Sequence, residues 1–197
     1  MAILLWAIAA VFMSGCLTFT APAKVTLDRP PDVGKLPLTV GIYYSVEFRA
    51  HEHVRTKDLG KFVVPSGEAS VALFDDILPL MFENTVLVPG RPPLAQRDPR
   101  LVAVIEPRIE HFDVDLPVVI GTIRAEVTYR FTLYSPVGHP FASWRVNGVG
   151  EAGPMGGGYD KAVDLAMQDA ARRFMIGFRA VPEVQRWLRQ MEVSDGR

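Results

Sequence analysis

The chain reads as an α+β domain of two layers, a mostly antiparallel sheet with two main helices on one face. Three observations predict it. Residues 122–134 alternate strictly. Ile123, Ala125, Val127, Tyr129, Phe131 and Leu133 point one way, and Thr122, Arg124, Glu126, Thr128, Arg130 and Thr132 the other, the mark of a strand with one dry and one wet face. Two stretches, 66–83 and 159–180, carry apolar residues at helical spacing. The elements follow the order β, α, β, β, β, β, α, α, so two amphipathic helices can cover the dry face of one sheet. The composition, 49% hydrophobic and 22% charged, supports a packed core rather than a disordered chain. A formal net charge of −1 supplies no field to attract nucleic acid.

In chain order, residues 1–15 are dominated by an apolar run from Ala2 to Met13. It is shorter than the roughly 20 residues a spanning helix needs and has the length of a signal-peptide core. Cys16 follows and is the one cysteine in 197 residues. Residues 16–36 hold Pro22, Pro30, Pro31 and Gly34 and read as an extended tether. The domain is expected over 37–191. Residues 38–46 are β-branched and aromatic, a first strand. The polar stretch 48–60 is expected to be a loop or frayed strand end, and 61–64 a short strand. Ser66 is a candidate cap for the first helix, whose stripe is Val71, Phe74, Ile77, Leu78, Met81 and Phe82, while Pro79 predicts a bend or an end. A short strand at 85–88, an exposed loop with four prolines at 89–99 and a long strand at 101–114 come next. A turn at 135–138 joins the alternating strand to its return at 140–149, where Ala142, Trp144 and Val146 are on the dry side. Residues 150–158 read as a flexible glycine loop. The second helix has Asp160 as a candidate cap and a stripe of Val163, Ala166, Met167, Ala170, Phe174 and Phe178. Pro182 ends it and starts a short third helix through Trp187 and Leu188. Residues 192–197 read as a polar tail.

Candidate chemistry is sparse. Gly148-Val149-Gly150-Glu151-Ala152-Gly153 matches G-x-G-x-x-G between a strand and a helix. Pro154 and three further glycines separate it from that helix, so the pyrophosphate would not meet a helix N-terminus. His51 and His53 share a side if extended and could hold zinc with a third ligand such as His111, but no second ligand cluster has recognisable spacing. Asp113 and Asp115 with Glu110 form a carboxylate cluster, yet nothing argues for the burial that separates the pKa values of a catalytic pair. No G-x-S-x-G occurs. The chain is therefore expected not to be an enzyme, and to need no metal or cofactor. The polar face of the sheet, Glu106, Arg108 and Glu110 beside Arg124, Glu126 and Arg130, is the candidate partner-docking face, since complementary charge fixes register and partner choice.

Met13-Ser14-Gly15-Cys16 resembles the lipobox of bacterial lipoproteins. That resemblance implies removal of residues 1–15 as a signal peptide and acylation of Cys16, palmitate included, and so a lipid anchor. Leu17, which is not Asp, implies the outer membrane by likeness to enterobacterial lipoproteins. The runs 163–178 (VDLAMQDAARRFMIGF) and 182–188 (PEVQRWL) look like the end of small envelope lipoproteins whose domains are similar to the amino-terminal domain of the translocation protein TolB, a group that includes polysaccharide-export lipoproteins and activators of penicillin-binding proteins. The resemblance implies a non-catalytic adaptor or assembly factor for an envelope protein complex on the periplasmic side. The alternative is an auxiliary lipoprotein of a lipid or glycan transporter, binding an apolar ligand between helices and sheet. The partners expected are the membrane, through the lipid anchor, and an envelope protein, with a second copy in a homo-oligomer as the alternative.

Overall fold

A computed structural model describes residues 18–21, 24–57, 60–95, 98–116, 121–153 and 158–195, with side chains through residue 191. The fold is α+β. Its main sheet has five strands in the order β5-β2-β6-β7-β8, formed by β2 (Leu36–Ile42), β5 (Phe82–Leu87), β6 (Leu101–Asp115), β7 (Ile123–Tyr134) and β8 (Pro140–Ala152). β6, β7 and β8 form an antiparallel meander, whereas β2 lies parallel to both of its neighbours. The expected antiparallel pairing is thus the longer part of a mixed sheet. Parallel strands need a crossover. Here it consists of a short helix α1 (Val46–Arg49), the hairpin β3 (His53–Lys57) and β4 (Gly60–Val64), and helix α2 (Ser66–Met81).

The stretch expected as a loop or frayed strand end therefore holds a helical turn and a strand. Ser45 caps that turn, its Oγ accepting from the Phe48 amide at 3.1 Å. Ser66 does not cap α2. It is buried inside the first turn, and its hydroxyl turns to His51 instead, 2.7 Å from Nδ1. Pro79 stands two residues before the end of α2, where it interrupts little.

Helix α3 (Gly158–Gly177) lies on β7 and β8, and α4 (Pro182–Asp195) follows a single 3-10 turn. The expected polar tail from residue 192 continues α4 to Asp195. Both predicted helical stripes face the sheet, except that Phe82 begins β5 and Phe178 stands in the 3-10 turn, both buried. Phe74 of α2 meets Tyr129 and Phe131 edge-on at 5.2 and 5.4 Å, and Phe174 of α3 stacks on Phe131 at 4.2 Å. Such ring pairs add about 0.5–1.5 kcal/mol each beyond their burial. Tyr129 is fully buried and its hydroxyl reaches the equally buried Ser70 Oγ at 2.8 Å, so these two polar atoms satisfy each other.

The glycines of β8 explain how close α3 can come. A Cβ on Gly148 would lie 2.1 Å from the Ala166 carbonyl oxygen, and one on Gly150 would lie 2.1 Å from that of Ala162. The glycine-rich motif is thus a track for a small-residue helix face. The expected loop at 150–158 is corrected at its start, because the strand continues to Ala152. Residues 154–157 lie outside the described residues.

The tether expected over residues 16–36 is also corrected. Thr18–Thr20 form β1, which pairs in parallel with β4 and completes a second sheet in the order β1-β4-β3. Beyond it Ala21 and Val25 are each 3% exposed. The Ala21 amide donates to the Val63 carbonyl at 2.9 Å. Arg172 and Arg179 donate to the carbonyls of Asp28 and Gly34, both at 2.8 Å. The described residues of this segment thus form a strap fastened to the domain.

Candidate docking face

The helices cover the inner face of the main sheet, and among the described residues its outer face is open except at one corner. There the proline-rich loop after β5 folds back. Val88, Leu101 and Val104 form a small separate apolar cluster, with Tyr43, Leu94 and Tyr134 packed against it. The loop brings Arg91 onto Glu106, with Nε–Oε2 at 2.8 Å and Nη2–Oε1 at 2.6 Å. Arg108 Nε adds a third contact at 3.0 Å. The guanidinium of Arg91 also lies over the Tyr134 ring at 5.6 Å. The Glu106 side chain is 0% exposed. Burial alone would raise its pKa; the hydrogen bonds from Arg91, Tyr134 and Arg108 outweigh that and hold it below the usual carboxylate range. Glu106 is therefore not an exposed docking residue, although it was placed on that face.

The other residues of the proposed face remain on the surface. Glu110 is the extra residue of a bulge in β6, unpaired between Ile109, opposite Tyr129, and His111, opposite Thr128. A bulge shifts the two-residue period by one. As a result Asp113 and Asp115 join Glu126 and Arg124 on the outer face, while Phe112 and Val114 turn inward. Glu110 is bracketed by Arg145, at 2.5 Å, and Arg130. These hydrogen bonds, that of Arg145 first, hold its pKa low. Arg124 bridges Glu126 and Glu151, each at 2.7 Å.

The charges on this face are segregated along the strands. At the corner with the proline-rich loop, Arg91, Arg108, Arg130 and Arg145 stand against Glu106, Glu110 and the nearby Glu47. At the other end, Asp113, Asp115, Glu126 and Glu151 stand against Arg55 and Arg124. A groove of about 510 Å³ adjoins the arginine corner, lined by Tyr43, Ser45, Glu47, Phe48, His51, Arg91, Arg108 and Ile109. A second groove of about 440 Å³ runs between α4 and the β7–β8 hairpin, beside Phe141, Trp187 and Met191.

The remaining sequence candidates are dispersed. His51 is engaged with Ser66, whereas His53 packs on Phe112 at 5.4 Å and lies 4.0 Å from Asp113. Burial lowers the pKa of both imidazoles. Among the described residues no group of three or more His, Cys, Asp and Glu is placed to hold a metal ion. Asp113 is 47% exposed and 3.1 Å from Arg55, and Asp115 is 75% exposed and 3.9 Å from the same guanidinium, so neither is sequestered from solvent. Cys16 lies outside the described residues. Among the described residues no helix is long and apolar enough to cross a membrane.

Sequence reasoning missed Arg91, Arg145 and Glu151. The alternation of 140–149 could have given Arg145 and the alternation of β8 beyond it Glu151, but nothing local places Arg91 on the sheet.

No family model and no curated protein matches the chain. Solved structures show weak likeness. A Xanthomonas campestris protein of the DUF330 family is 11% identical, with a TM-score of 0.47 over 86% of this chain and 97% of that one. A Helicobacter pylori protein described as a homolog of neuraminyllactose-binding hemagglutinin is 9% identical, with a TM-score of 0.43 over 87% and 99%. A Chlamydia trachomatis protein is 11% identical, with a TM-score of 0.31 over 81% and 95%.

Proposed function

We propose that this chain is a non-catalytic binding module, anchored at the periplasmic side of the outer membrane through an acylated Cys16, that docks an envelope protein on the open face of its main sheet. The observation that carries the proposal is the asymmetry of that sheet. One face is sealed by two helices, while the other presents exposed ion pairs with arginine-rich and acidic ends on strands that hold them rigidly. Exposed pairs of this kind contribute little to stability, about 0–1 kcal/mol each. Their use lies in steering and register, where opposite patches on a partner are matched and wrong partners repelled.

The alternative, an apolar ligand held between helices and sheet, is disfavoured because the Phe74, Phe131, Phe174 and Trp144 rings occupy that layer. Such a ligand would have to use the groove beside Trp187.

Two experiments test the proposal. A Cys16→Ser variant is expected to leave the membrane fraction; persistence there after signal cleavage contradicts lipid anchoring. Arg124→Glu together with Arg130→Glu is expected to abolish capture of the native partner by a folded protein; unchanged capture removes this face from the account.

A further inference from the structure

The strap raises a question that a free tether would not: how far the domain can move from its anchor. Cys16 precedes β1 by two residues. Consecutive Cα atoms are about 3.8 Å apart, so the Cα of Cys16 is at most about 7.6 Å from that of Thr18. From Thr18 onward the chain is paired to β4, buried at Ala21 and Val25, and held by Arg172 and Arg179. Two peptide units therefore set the longest reach between the anchor site and the fold.

The sheet at that point has an outward face. Register pairs Thr18 with Lys61 and Lys61 with Thr56, and Thr20 with Val63 and Val63 with Val54. These six residues share one side, away from the side on which Phe62 meets Tyr159 at 5.2 Å. Val54 is 46% exposed, and Thr18, Thr20, Lys61 and Thr56 are exposed. At the sheet edge Phe19 is 41% exposed and stacked on Phe62 at 5.0 Å. The six residues of this side include one cation, two valines and three hydroxyls, and no carboxylate. These six residues themselves bring one cation and no carboxylate to the lipid phosphates, with exposed Glu52 just outside β3.

We infer that the outward face of the β1-β4-β3 sheet is the membrane-apposed side of the protein, resting on phospholipid headgroups. The inference depends on the acylation of Cys16 proposed above, and it adds an orientation. Arg55 on β3 reaches Asp113 and Asp115, so the acidic end of the docking face is next to the bilayer. The arginine corner lies at the other end of the same strands; from Arg124 to Tyr134 is roughly 33 Å of strand. In this orientation the arginine corner is the end of the docking face farther along the strands from the β3 contact.

The natural protein has one cysteine, and acylation would leave no free thiol, so one introduced thiol can be labelled alone. Membrane-purified protein carrying Thr56→Cys or Val137→Cys is labelled with a fluorophore and reconstituted into vesicles of phosphatidylethanolamine and phosphatidylglycerol bearing a headgroup quencher. Thr20→Cys serves as a second position on the sheet. The labels at Thr56 and Thr20 are expected to be quenched severalfold more strongly than the label at Val137, in the β7–β8 turn. Equal quenching in protein that floats with the vesicles overturns the orientation and leaves the anchor intact. Protein that does not float, with an unacylated amino terminus by mass spectrometry, overturns the anchor and the orientation with it.

Discussion

The two faces of the main sheet carry the same alternating strands to opposite ends. On the inner face every position is decided by packing. Gly148 and Gly150 admit the backbone of α3, and six aromatic side chains, Phe74, Tyr129, Phe131, Trp144, Phe174 and Phe178, fill the layer. On the outer face most positions are decided by charge, and the ions sit in water. The difference teaches where tolerance lies: the inner face is where substitutions unfold the protein, and the outer face is where they change what it binds.

The comparison can be broken most severely at the glycine track. Gly150→Val is expected to cost at least about 3 kcal/mol, since its side chain meets the Ala162 carbonyl and the helix must move; urea denaturation measures it. A variant of near-normal stability would show that α3 does not lie on β8 as described. Phe131→Ala is next, with an expected loss of about 3–5 kcal/mol in the same assay.

Glu106 tests the boundary between the faces, as a buried acid on the outer side. Arg91→Ala removes two of its hydrogen bonds and is expected to cost about 1–3 kcal/mol. The sign of the pH dependence follows from its depressed pKa. A carboxyl whose folded pKa is below the unfolded value stabilises at pH above the unfolded value, and that contribution is lost as pH falls through the folded one. Removing Arg91 raises the folded value, so acid unfolding should begin at higher pH; Glu106→Gln should remove this pH dependence. An unchanged acid-unfolding profile in Arg91→Ala would mean that Arg91 does not hold Glu106 ionised.

The smallest stability effect belongs to the exposed ladder. Arg124→Glu with Arg130→Glu places carboxylates beside Glu126, Glu151 and Glu110, yet is expected to change stability by no more than about 1 kcal/mol for each of the three ion pairs lost. A larger loss would make the ladder structural.

How much of this was legible in the sequence also divides between the faces. The dry side of β7 and both helical stripes follow from periodicity, because burial on one side imposes a period that local sequence must obey. The outer face is less legible. Arg124, Glu126 and Arg130 follow from alternation, but the bulge at Glu110 reverses the pattern, and the burial of Glu106 depends on a loop that returns from outside the strand. The strap looks like a tether in sequence because its prolines and charges hide two buried residues, Ala21 and Val25. Of the glycine track, Gly148 falls in the expected strand, but Gly150 looks like the start of a loop, because glycine signals close approach and flexibility alike.

The central claim is that the open face docks an envelope protein while the helix-covered side does not. A photo-crosslinking residue placed at Thr132, on the open face, and another at Ile176, which is 65% exposed on α3, can be compared in native envelopes. The account predicts a discrete protein adduct from Thr132 that disappears with Arg124→Glu and Arg130→Glu, and none from Ile176. Adducts from Ile176 with none from Thr132 would contradict it.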